Sequence, residues 1–228
     1  LEYAKYTIDD ISKYWDGNFT IVRRARIKRN SIIGLGADYN LADAIAENNE
    51  FMAASQNIES DDSELQSKAQ LEFKSDSGIT TMREIAQWVN ANIEYDFENY
   101  YPIVASAKAT YRDRKGVCDE FANLTAAFMR IRGIPARYVT GISYDGERFG
   151  NHGWIEIYLP TTGWIGVDST YGEAGYLDAA HIAIAKTKDI NSAVDFIATT
   201  RSAKKIGIEA ELGLPEVEIN SVQFFDAL

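Results

Sequence analysis

The chain holds one cysteine, two histidines and four prolines among 228 residues. A single Cys excludes any disulfide within the chain. One Cys and two His also cannot fill the tetrahedral shell of a structural zinc site. A metal hydrolase is disfavoured by the same shortage, and no cofactor motif is present, so neither metal nor cofactor is expected. Basic residues are scarce as well: 23 Lys and Arg stand against 34 Asp and Glu, a formal net charge of −11, with a pI near 4.7. That balance opposes non-specific binding to nucleic acid or to an anionic membrane. No apolar run approaches the ~18–20 residues of a membrane span. No signal peptide is visible, but the chain starts at Leu1 without a Met. That start suits an extracytoplasmic protein whose upstream segment has been removed. Oligomeric state is not legible.

What is present is globular. At 46% hydrophobic and 25% charged residues, the chain can bury a sizeable core. Three parts are expected: an N-terminal α/β appendage over 1–76, a catalytic core over 77–200, and a β tail over 201–228 packing on the N-terminal segment. In the first part, Phe19–Lys28 reads as a strand carrying a small basic cluster, Leu41–Ser55 as a helix, and Ser63–Lys74 as a second helix with Asp or Ser as its N-cap. Ile79, Met82, Ile85, Ala86, Val89 and Ile93 recur at three- and four-residue steps, which predicts an amphipathic helix over 79–92. Ala105–Thr110 suggests another short helix. From Cys118 to about Arg132 the pattern gives a largely buried helix, with Asp119, Asn123 and Arg130 on one wet strip. Gly133 and Pro135 end it. The period then falls to two. Arg137–Tyr144, His152–Leu159 and Trp164–Asp168 read as strands, and Ala179–Asp195 as helix or loop.

Cys118 sits where a Gly-containing turn enters a helix. Exposed N–H groups and the helix dipole favour a thiolate there and can donate to an oxyanion. The plainer reading of a lone Cys is a small buried hydrophobe. The strands supply the context. Alternation puts His152, Trp154, Glu156 and Tyr158 on one face, and Trp164, Gly166 and Asp168 on one face. An antiparallel hairpin with His152 opposite Asp168 would set imidazole beside carboxylate. A two-residue slip would keep the face and place Asp168 opposite Trp154. The Cys118 helix is expected to pack on that face. Cys118, His152 and Asp168 then read as nucleophile, base and orienting acid.

Four segments carry a resemblance: Gly116-Val-Cys118-Asp-Glu-Phe-Ala122, Arg130-Ile-Arg-Gly-Ile-Pro-Ala-Arg137, His152-Gly-Trp-Ile-Glu156 and Gly163-Trp-Ile-Gly-Val-Asp168. In order and spacing they resemble the transglutaminase-like superfamily, over about Ile79 to Phe196. The resemblance implies an α+β fold with a papain-like/transglutaminase-like core, its catalytic Cys at the N-terminus of a buried helix packed on an antiparallel sheet. It also implies a thiol enzyme acting on an amide or peptide bond of a protein or peptide substrate through a Cys thioester, as protease, amidase or transglutaminase. A catalytically idle binding or scaffold module is the alternative. Nucleophile, base and orienting acid carry over to Cys118, His152 and Asp168. Gly153 replaces the family's usual Ala, and Ser169 its frequent Pro. The side-chain oxyanion donor is not assigned, with Tyr100, Tyr101 and Tyr111 as candidates. Trp154, Trp164 and Tyr111 are candidates for the substrate pocket, against a plain packing role. His181 matches a recurring downstream His, for which a structural or substrate-side role is expected.

Overall fold

A computed structural model describes residues 35–43, 49–102 and 104–192 of the chain. The strand expected over 19–28 and the tail beyond 200 lie outside these residues. The first helix, α1 (Ser63–Glu72), starts where the Asp62 carboxylate accepts the N–H groups of Glu64 and Leu65. Its buried face, Leu65 and Ala69, joins the main core. α2 (Gly78–Asn92) is capped by Ser77, and the Asp38 carboxylate accepts the Ile79 N–H at 3.0 Å. Met82, Ile85, Ala86 and Val89 are its buried stripe, as the three-four spacing requires. The helix expected over 41–55 appears, in its described parts, as two 3-10 turns, Leu41–Asp43 and Asn49–Phe51.

Beyond α2 the chain forms β1 (Glu94–Tyr95), α3 (Phe97–Tyr100), α4 (Ala107–Asp113) and β2 (Lys115–Gly116). β1 and β2 pair in parallel, Tyr95 against Gly116, so the exit of α2 lies beside the approach to Cys118. α5 (Cys118–Ile131) follows, and residues 120–130 are all buried. Of the wet strip expected on it, Asn123 and Arg130 are buried and Asp119 is partly exposed. Asn123 is fully buried and donates to the Ala105 carbonyl. Arg130, 3% exposed, donates to the carbonyls of Ala53, Ala136 and Lys188 rather than to a carboxylate. Burial lowers its pKa to about 10, so it stays charged at neutral pH.

Five antiparallel strands complete the fold: β3 (Ala136–Tyr144), β4 (Phe149–Leu159), β5 (Gly163–Asp168), β6 (Glu173–Ala174) and β7 (Ile182–Thr187), in the order β6-β5-β4-β3-β7. The fold is thus α+β, with a helix packed on an antiparallel sheet. One face of the sheet, with Ile155, Ile157, Leu159, Ile165 and Val167, shares a core with α1, α2 and α5. The other face buries Val139 and Trp154 against Leu177. α5 therefore packs on the face opposite to the one that carries Trp154 and, by alternation, His152 and Asp168. Among the described residues, no helix is long and apolar enough to cross a membrane.

Candidate active site

Gly116 lets the chain turn tightly before α5, because a Cβ there would overlap the Glu120 side chain. Glu120 is fully buried. Its carboxylate accepts the N–H groups of Val117 at 2.8 Å and Ala105 at 2.6 Å, which pins the turn that presents Cys118. Burial raises its pKa, against these two donors.

Cys118 opens α5 and stays partly exposed. Its sulfur lies 3.8 Å from Asp119 Oδ1 and close to the backbone N–H of Gly153. The β4–β5 ladder ends at Ile155 against Val167. The Gly153 N–H lies past that end, so the thiol reaches β4 where β5 no longer covers it. The surroundings do not favour a thiolate. Burial is the largest influence and raises the thiol pKa, the carboxylate of Asp119 raises it further, and the Gly153 N–H only partly opposes them. The helix-start argument is thus outweighed by packing and by the acidic neighbours that the sequence puts straight after the Cys.

The imidazole–carboxylate pair is formed. His152 Nε2 lies 2.6 Å from Asp168 Oδ2, with both side chains buried. The register is the slipped one: Tyr158 faces Trp164 and Glu156 faces Gly166, so the ladder points Asp168 at Trp154. His152 and Asp168 meet diagonally, within reach of two side chains of this length. Asp168 Oδ1 accepts the Thr170 N–H at 2.9 Å. Burial would raise the Asp168 pKa, but the two imidazoles bonded to it, His152 and His181, hold it well below the usual carboxylate range. Among the described residues, no hydrogen bond joins Cys118 to His152. The His152 Nδ1 is left over for that role.

His181 lies on the far side of the carboxylate, with Nε2 3.0 Å from the same Asp168 Oδ2 and Nδ1 2.8 Å from Asp178 Oδ1. These nitrogens and oxygens are close enough together to hold a cation. Each close nitrogen–oxygen pair is also at hydrogen-bond distance.

Two tyrosines border the site. Tyr171 stacks on His152 at 4.7 Å between ring centroids and 10° between planes, and its hydroxyl pairs with Ser143. Tyr95 is half exposed and packs on Phe121. Burial, then the neighbouring Cys118 and Tyr171, raise its hydroxyl pKa to about 12. Neither was a candidate from sequence. Tyr95 lies in the Ile93-Glu-Tyr-Asp96 segment that leaves α2, and Tyr171 follows Asp168 by three, but no chemical pattern marks either.

The pocket candidates scatter. Trp154 lies buried under the imidazoles, edge-on to His181 at 5.2 Å. Trp164 sits farther along β5, under the Arg137 guanidinium and against Phe51 and Tyr158. It lines a separate cavity of about 120 Å³ with Glu156, Tyr176, Leu177 and Lys186. Tyr111 stacks on Trp88 and meets Phe128 on α5 in the helical layer. The structure does not bring Trp164 or Tyr111 to Cys118. Of the oxyanion candidates, Tyr100 bonds Asp113 and Tyr101 stacks, exposed, on Phe97.

Residues 67–169 match the family model described as the transglutaminase-like superfamily. A protein-glutamine gamma-glutamyltransferase of Pseudomonas aeruginosa is 37% identical over 70 residues, 25% of this chain and 10% of that protein. The Bacillus subtilis protein YebA is 28% identical over 96 residues, 36% of this chain and 13% of that protein. Among solved structures, a cysteine-protease candidate from Cytophaga hutchinsonii is similar at 30% identity and a TM-score of 0.58, over 67% of this chain and 51% of its own. The chain thus spans about a tenth of these two curated relatives and half of the solved one.

Proposed function

Residues 67–169 make this chain a member of the transglutaminase-like superfamily, and from that premise we propose that it is a thiol acyltransferase acting on an amide or peptide bond. Cys118 is the nucleophile, His152 the base and Asp168 the acid that orients it. The observation that carries this reading is the 2.6 Å bond from His152 Nε2 to Asp168. It fixes the tautomer so that Nδ1 is the nitrogen free to take the thiol proton. The resting thiol is protonated, so the attacking sulfur arises by proton transfer to His152 as the acyl carbon is engaged. The sulfur adds to the carbonyl, and the imidazolium protonates the departing amine. The thioester is then resolved by water or by an amine, with His152 as base again. The Cys118 N–H at the start of α5 is placed to donate to the oxyanion. An idle module would have its triad present but sealed, or Asp168 turned away from the imidazole. Its bond to His152 favours the working site.

The test is incubation with a glutamine-containing peptide library, with and without a primary amine, and mass analysis of the products. Cleaved, deamidated or amine-linked products are expected, lost by about a thousandfold or more in Cys118→Ala. Iodoacetamide is expected to label Cys118, more slowly in His152→Ala. A chain that forms no product, and whose labelling rate ignores the His152 substitution, would be the idle module.

A further inference from the structure

A three-residue mechanism makes no use of His181, yet this side chain is 1% exposed and bonded to the site's carboxylate. Its two ring nitrogens both meet carboxylate oxygens: Nε2 at 3.0 Å from Asp168 and Nδ1 at 2.8 Å from Asp178. A carboxylate only accepts. A neutral imidazole carries one N–H, so it could satisfy one of these contacts and would oppose a lone pair to the other. Only the imidazolium, with two N–H groups, satisfies both.

Resting on the acyl-transfer reading above, we infer that His181 is a positioning residue of this centre. Held as an imidazolium between Asp168 and Asp178, it fixes the Asp168 carboxylate and draws off part of the charge that Asp168 directs at His152. The groups facing it fit the assignment. Asp168 comes from β5, and Glu173 on β6 lies 3.9 Å from Nδ1. Asp178 comes from its own loop. From β4 come His152, at 5.9 Å between ring centroids, and Trp154, at 5.2 Å and 80°. Tyr171 stands at 5.8 Å. Three carboxylates thus surround one buried cation. Burial lowers the His181 pKa, but the bonds to Asp168 and Asp178 and the charge of Glu173 outweigh it and leave it raised.

Asp168 Oδ2 receives both imidazoles. One oxygen therefore serves two donors, and the strength of one bond limits the other. Without the cation, Asp168 would direct its full charge at the imidazole of His152.

The chain has two histidines, so ring-nitrogen NMR on the whole protein can be assigned with one variant, His181→Gln. In the wild type, both nitrogens of His181 are expected to be protonated at pH 7. In Asp178→Asn, whose side chain is half exposed, that state is expected to end at a lower pH. A wild-type His181 that is a neutral single tautomer at pH 6 overturns the inference. The kinetic arm is the pH profile of kcat/KM in His181→Gln, where Gln can still donate to Asp168 without charge. The acidic limb is expected to move up by about one pH unit, with kcat on the plateau within a few-fold of wild type. A limb that stays in place while kcat falls means a purely structural His181, and also overturns it. The NMR arm does not depend on turnover, so an inactive protein refutes the acyl-transfer reading and leaves the imidazolium to be judged on its own.

Discussion

At position 153 a methyl group would overlap the Tyr138 hydroxyl and lie 2.6 Å from Asp119 Oδ1. The family's usual Ala is absent because a hydroxyl and a carboxylate, bonded to each other at 2.5 Å, fill its place. Gly153→Ala is expected to destabilise the fold by about 1–3 kcal/mol, and by less in a Tyr138→Phe background, where the overlapping oxygen is gone. Urea unfolding of the four proteins of this cycle measures the coupling; additive effects would mean that the hydroxyl is not what excludes the methyl. Ser169, the other departure, is buried, and its hydroxyl pairs with Thr125 at 2.7 Å, tying the end of β5 to α5. Both departures were visible in sequence. Their reasons were not, because the partners that explain them, Asp119, Tyr138 and Thr125, lie 15 to 44 positions away along the chain.

Arg130 shows the same limit for a whole element. On a helical wheel it belongs to a polar strip. In the fold it fastens α5 to the Ala53 carbonyl, to the start of β3 and to the segment after β7. Arg130→Met fills similar space but leaves buried carbonyls without donors, and an expected loss of about 3 kcal/mol is readable by urea unfolding. A loss under about 1 kcal/mol would mean that water takes over those carbonyls. Elements with a clean period were legible from sequence. α2 begins within one residue of the spacing argument, and β3, β4 and β5 lie where alternation puts them. Alternation also puts His152 and Asp168 on a common face, but it cannot fix register. A slip of two conserves every face, so sequence left both pairings open. β7 was illegible for a different reason. Ala183 packs at the Val139–Trp154–Leu177 cluster, Ala185 is buried, and Ile184 is exposed at a bulge opposite Thr140 and Gly141. The small residues point in and the large one out, the reverse of the usual strand pattern.

Across the whole molecule, the buried charges set a pH range. Asp168, with its lowered pKa, contributes stability that is present above the ordinary Asp value of 3.8 and lost as pH falls below it. His181, with its raised pKa, contributes stability that is complete below 6.5 and lost as pH rises through its folded value. Asp119, Glu120 and Glu173 are raised chiefly by burial, so each subtracts stability as pH climbs past its ordinary value. The thermal midpoint is therefore expected to peak near pH 5 and to decline toward pH 8. It should drop further above pH 9–10, where the unfolded chain ionises a thiol and phenols that the fold keeps neutral. A thermal scan series from pH 4 to 10 checks this; a midpoint that rises from pH 5 to 8 would contradict it. One local feature has a reach of similar scale. The excursion between Asp96 and Ala105 is nailed down at both ends to the turn that carries Cys118. The Asp96 N–H bonds the Gly116 carbonyl, and the Ala105 N–H bonds Glu120. Its aromatic rings, Phe97 and Tyr101, face solvent. Evolution can therefore lengthen or rewrite this rim at little entropic cost without displacing Cys118, so under the proposed function chains of this fold are free to diverge in what they select while the Cys118 sulfur stays where it is.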